Sequence, residues 1–254
     1  MKNLMAAQQS VVGVAAVEDA GNAAARRERR FFGGMAWACA LTVLAGFLPT
    51  YYLNGVAGQA FALTPMLHWH GAVFTAWMLL LVVQTSLIAS RRVRAHRTLG
   101  AAGIVLAAAM VVLGWSVAIT RTQSSQIVDQ GVPPLVFLAV PLLGMAAFAG
   151  LVVAAVYFRH KSSAAHKRLM LLATFELVTA AVSRLPWVEE WGPLGFFAVT
   201  DLFVAALVVY DFASAKRIHR ATLWGGLAFV ASQPLRLAIG ASAPWLAFAG
   251  WLTT

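Results

Sequence analysis

Seven stretches of about 20 apolar residues follow one another along the chain, at 32–53, 67–89, 98–119, 134–158, 168–187, 194–213 and 222–242. Each is long enough, at about 1.5 Å of helical rise per residue, to cross a hydrocarbon layer about 30 Å thick. Only 11% of the residues are charged, against about a quarter in a soluble domain. The chain is therefore expected to be all-α, an integral membrane bundle of about seven transmembrane helices. A last apolar stretch, PWLAFAGWL, is too short to cross.

Sixteen of the 19 Lys and Arg fall on one side of these stretches: five before the first, four in 91–97, four in 159–168 and three in 216–220. Loops rich in Lys and Arg stay in the cytoplasm, so the expected orientation is N-terminus in and C-terminus out. The net charge of +10 then reflects orientation and contact with anionic lipid headgroups, and nucleic acid is not expected as a partner. Residues 1–31 carry no signal-peptide pattern and read as a mobile, basic cytoplasmic tail, with the membrane domain at 32–254. The single cysteine, Cys39, rules out an intramolecular disulfide or a thiolate cluster.

Short basic loops join stretches two and three, four and five, and six and seven, which gives one helix plus three hairpins. The second helix of each hairpin opens on a related string: RVRAHRTLG, SSAAHKRLM and AKRIHRATL. His96, His166 and His219 thus open the third, fifth and seventh spans on one membrane face. If they converge, their imidazoles could hold a metal ion, or two of them a haem. If they do not, each His with its basic neighbour marks the headgroup layer or caps free backbone amides.

Polar residues also lie deeper. His70, Phe74, Trp77, Leu81 and Gln84 share one stripe of the second span. Glu176 sits near the middle of the fifth span with Arg184 nearer its outer end, Asp201 lies in the sixth, and Arg236 lies in the outer half of the seventh. A charged side chain at membrane depth costs at least about 2.5 kcal/mol, so these groups should face the bundle and pair, Asp201 with Arg236 or Arg184. They predict an outer-half polar cavity lined by His70, Gln84, Glu176, Arg184, Asp201 and Arg236, or a network that locks helices together.

Taken together, HGAVFTAWMLLLVVQ, HRTLG, HKRLMLLAT, HRATLWGG and SQPLRLAIG resemble a family of bacterial multi-pass membrane proteins of unassigned function, over nearly all of 32–254. The resemblance implies a bacterial inner-membrane fold and no reaction. More remotely, the segment from His70 to Gly100 resembles the first two core helices of ascorbate-reducible di-haem membrane cytochromes, which implies His70 and His96 as ligands of two haems. No later span offers a histidine to match His70, so the resemblance extends to one inner haem b, held by His96 with His166 or His219.

Three functions follow as expectations. One is a haem- or metal-binding electron carrier with an inner histidine site. Another is a transporter or small-molecule-binding protein in which Arg184 or Arg236 holds an anionic group and Glu176 or Asp201 relays protons. The third is an accessory or assembly subunit with a protein partner in the membrane. For other enzyme classes the chain lacks the signals: six scattered histidines do not make a paired-iron site, and no G-x-S-x-G nucleophile elbow is present.

Overall fold

The computed structural model describes the backbone of residues 2–56, 62–124 and 132–254, with side chains from Asp19 onward. Most of the polar loop before Pro133, including Asp129, lies outside the described residues. Among the described residues the chain is a helical bundle without strands. Its elements are α1 (Lys2–Phe47, continued by a π-turn at Leu48–Tyr52), α2 (Pro65–Ala89), α3 (Val93–Ser124), α4 (Pro134–Phe137), α5 (Ala139–Phe158), α6 (Ser163–Val182), α7 (Pro186–Glu189), α8 (Gly192–Ala215), α9 (Arg220–Gly240) and α10 (Ala243–Leu252). α1 runs unbroken from Lys2 into the first apolar stretch.

Among the described residues five segments are long and apolar enough to cross a membrane: Asp19–Tyr52, Pro65–Ala89, Val93–Ser124, Pro134–Phe158 and Gly192–Ala215. The pair α9 and α10, bent by 79° at a short break, makes a sixth if the two are one span. The expected fifth span, α6, differs because Lys167, Arg168 and Glu176 interrupt its apolar sequence. Its place in the bundle explains why that is tolerated. α6 packs against α1, α5, α8 and α9, and 14 of its 20 residues are buried, so protein surrounds it where its neighbours meet solvent or lipid.

The hairpins α2–α3, α5–α6 and α8–α9 each pack together as antiparallel neighbours, and α1 lies against α2 and α6. On α1 the buried residues Phe32, Met35, Ala36, Cys39 and Val43 recur at helical spacing and form the seam. Gly46 permits the closest approach, since a Cβ there would collide with the Ala181 backbone carbonyl. Trp77 of α2 donates from Nε1 to Thr174 Oγ1 of α6 at 3.2 Å. α10 folds back on α4, where Trp245 Nε1 donates to the Leu135 carbonyl at 2.8 Å.

Helix starts follow local chemistry. Thr64, Ser162 and Ser242 accept from the backbone amides of Leu67, Ala165 and Trp245, each satisfying a first-turn donor that has no helical partner. Exposed aromatics lie near both ends of the bundle, with Trp69, Trp187 and Trp191 at one and Trp37, Tyr157 and Trp224 at the other, as in membrane-interface belts. The second of these is the basic end, where α3, α6 and α9 begin.

Candidate functional site

The three related strings place their histidines in two different registers. His96 and His166 are each the fourth residue of their helix, and each backbone amide donates to the cap carbonyl, of Arg92 at 3.1 Å and Ser162 at 2.9 Å. His219 is itself the cap of α9, and its Nδ1 accepts from the Ala221 amide at 3.0 Å. Burial, and after it the Arg168 charge, hold the His219 imidazole below its ordinary range, which keeps Nδ1 free to accept. Among the described residues no three His, Cys, Asp or Glu side chains gather as a metal-binding group.

His96 and His166 do approach one another, within electrostatic reach. The His166 Nδ1 bonds to the Ala155 carbonyl of α5 at 2.8 Å; a carbonyl only accepts, so Nδ1 carries the proton and Nε2 is left as an acceptor. The His96 ring lies against the Gln84 backbone, and its Nδ1 is buried without a partner, as is Gln84 Oε1. Gln84 thus stands at the basic end, beside His96 and Gly100. It is 14 residues from His70, about 21 Å along α2.

The other residues of the expected cavity fall in two places. His70 stacks on Phe74 with ring centroids 4.0 Å apart, lies against the Leu113 backbone of α3 and within reach of the Arg184 charge, and has a buried, unpartnered Nδ1. Arg184 lies over the Phe47 ring at 4.6 Å and donates to the Ala180 carbonyl.

Glu176, Arg236 and Asp201 meet between α6, α8 and α9. Arg236 pairs with Glu176, and Asp201 instead accepts from Gln233 Nε2 at 2.8 Å. This corrects the expected pairing of Asp201 with an arginine. Helix rotation decides it: Gln233 and Arg236 project from α9 on adjoining faces, and α6 takes the second.

Among the described residues Arg236, 3% exposed, forms its side-chain bonds through Nη2: with both Glu176 carboxylate oxygens at 2.8 Å and Ser232 Oγ at 2.6 Å. Its Nε is buried with no partner. Gly144 of α5 packs beside the same pair, where a Cβ would stand 3.2 Å from Nη1 and 3.9 Å from Glu176 Oε2. A carboxylate usually engages an arginine through two parallel bonds along one edge; here one nitrogen carries the whole pair, and the buried Nε donor is left unmet.

A second buried pair was not anticipated from the sequence. Arg168, inside the HKR string of α6, binds Asp211 of α8 through Nε at 3.0 Å and Nη2 at 2.5 Å, and its Nη1 donates to the Ala164 carbonyl at 2.9 Å. The other Asp211 oxygen accepts from Thr222 Oγ1 at 2.5 Å and from the His219 amide at 3.1 Å. α6, α8 and the start of α9 are thereby joined at one carboxylate that is 1% exposed. The available signal was a lone acid in the apolar run LVVYDFASA.

No protein-family model, curated protein or solved structure matches the chain.

The two buried pairs differ in one respect that bears on chemistry. At Arg168–Asp211 each guanidinium nitrogen and both carboxylate oxygens are bonded, as in a network that only holds helices together. At Arg236 a charged donor is left unmet in the interior, an arrangement that costs stability unless something else binds there. α6 itself presents both sites, one per half. Around Lys167 it also anchors the start of the first span, through an ion pair with Glu28 and a cation–π contact with Phe32 at 4.9 Å.

Proposed function

We propose that this is a protein of the bacterial cytoplasmic membrane, with its basic end in the cytoplasm, that binds or moves a small anionic molecule at Arg236. The observation that carries the reading is the buried guanidinium with an unpartnered Nε. A carboxylate or similar oxyanion supplies the acceptor that Nε lacks. Glu176 holds Nη2 and fixes the orientation of the guanidinium. The orientation in the membrane rests on the 16 cations gathered at one end, which also meet anionic headgroups there.

Thermal unfolding in mild detergent with a panel of short mono- and dicarboxylates tests it. A compound present at 100 times its dissociation constant adds about 2.7 kcal/mol to stability. The expected result is a ligand that stabilises the natural chain and not Arg236→Gln. Equal stabilisation of both proteins would remove Arg236 from the site.

A second reading, an electron carrier, is favoured by His96 and His166 lying within electrostatic reach of one another. Their free nitrogens suit a haem b or a metal ion: His166 is in the tautomer that leaves Nε2 available, with a carbonyl orienting the ring from behind as in metal-bound imidazoles. Bound there, the group would supply one-electron transfer. Arg97 and Lys167, next in sequence to the histidines, could pair with haem propionates, and the His219 cap is left out of the site. Oxidised and dithionite-reduced spectra with a metal analysis are the test. A Soret band that His96→Ala removes supports the reading, and a colourless, metal-free natural protein retires it.

A further inference from the structure

Asp201 is the tenth residue of α8, so it stands about 14 Å along the helix, deep within a segment that is long and apolar enough to span the membrane. It is only partly buried. Seven residues apart on a helix is nearly the same face, and Leu194, seven before it, is 71% exposed. Asp201 therefore sits on the flank of the lipid-facing stripe of α8, which also carries the exposed Leu202 and Val209.

Among the described residues no cation pairs with it. Its hydrogen-bond partner is the neutral amide of Gln233. The charged group of α6 within reach of it is Glu176. Glu176 is bound by Arg236 of α9, so those two neutralise each other and leave Asp201 as the uncompensated acid. An ionised carboxylate in such a place is costly, and binding a proton or a cation removes the cost.

We propose that Asp201 is a proton-binding site at mid-membrane depth, reached from the lipid side. Protonated, the carboxyl keeps its carbonyl oxygen to accept from Gln233 and carries no charge toward lipid. Released, the proton leaves an anion stabilised by that one amide bond. This goes beyond the anion site and does not depend on it, because Arg236 stays occupied by Glu176 in either state.

Dicyclohexylcarbodiimide, a lipid-soluble reagent, tests the proposal. The carboxylic acid adds across one C=N bond, its proton going to nitrogen and its oxygen to the central carbon; the acyl group then migrates to nitrogen and leaves a stable N-acylurea. No other reactant is consumed. The natural chain in its membranes is labelled, digested and mapped, which locates the adduct among the 9 Asp and Glu residues without any variant. The expected adduct is on Asp201, falls about tenfold for each pH unit above the point where the group ionises, and is absent in Asp201→Asn.

The proposal is overturned by an adduct on Glu176 and not Asp201, by no adduct on either, or by labelling of Asp201 that ignores pH. Sodium at fixed pH is the remaining arm. Protection by sodium relative to potassium would overturn the proton assignment in favour of a sodium site, and equal labelling in both salts supports it. Loss of the carboxylate-dependent stabilisation at Arg236 would leave the labelling pattern unchanged, so the two readings fail separately.

Discussion

Asp211→Ala is expected to destabilise the bundle by about 3–5 kcal/mol, because it strands the buried Arg168 guanidinium without a counter-ion. The same change removes the acceptor of Thr222 Oγ1 and of the His219 amide, so the start of α9 loosens with it. Asp211→Asn keeps an oxygen for one of those donors and should fall between the alanine variant and the natural protein. Thermal unfolding in detergent, followed by circular dichroism, measures all three. A loss below about 1 kcal/mol for Asp211→Ala, the range of an exposed ion pair, would mean that Arg168 reaches water at the basic end and that the network does not hold the three helices.

The second large effect is a coupling. Glu176→Leu and Arg236→Met, made singly, each leave an unpaired charge in the bundle and should also cost about 3–5 kcal/mol. The double variant has no charge to desolvate, and apolar replacement of a buried pair is often neutral or stabilising. It should therefore be markedly more stable than the sum of the single losses predicts. Additive losses would show that the two side chains do not act on one another in the membrane. The stable double variant separates roles as well, for it keeps the fold while removing the unmet guanidinium donor that the anion reading requires.

Much of the architecture could be read from apolar length alone. The seven stretches coincide with α1, α2, α3, α4–α5, α6, α8 and α9, and the basic loops coincide with the turns of the three hairpins. Which polar groups meet was less legible, since it depends on rotation of each helix about its axis, and the rotational signal is weak when most faces are apolar. Depth alone pairs Asp201 with Arg236 or Arg184, yet Gln233, three residues from Arg236, takes Asp201.

Gln84 and His70 share a stripe, but a stripe fixes only angle, and their 14-residue separation sends them to opposite ends of α2. Asp211 has the look of a solvated acid at a loop edge, because AKRIHR follows it closely. Its burial comes from Arg168, 43 residues earlier. The likeness of the three histidine strings hid a change of register that only the helix starts expose: in two hairpins a first-turn residue faces its neighbour, and in the third the histidine is the cap itself.

The charge carried by α6 has a consequence for how the chain enters the membrane during synthesis. A segment with a carboxylate at its middle, which alone costs at least about 2.5 kcal/mol to insert, is a poor candidate to partition into lipid by itself. The segment made just before it, Pro134–Phe158, is the most apolar of the spanning segments, and only the short turn from Arg159 to Ser162 separates the two. Entry as a preformed hairpin lets α5 carry α6 in. Glu176 then waits about 60 residues of translation for Arg236, so the centre of the bundle is neutralised last, when its final long helix arrives.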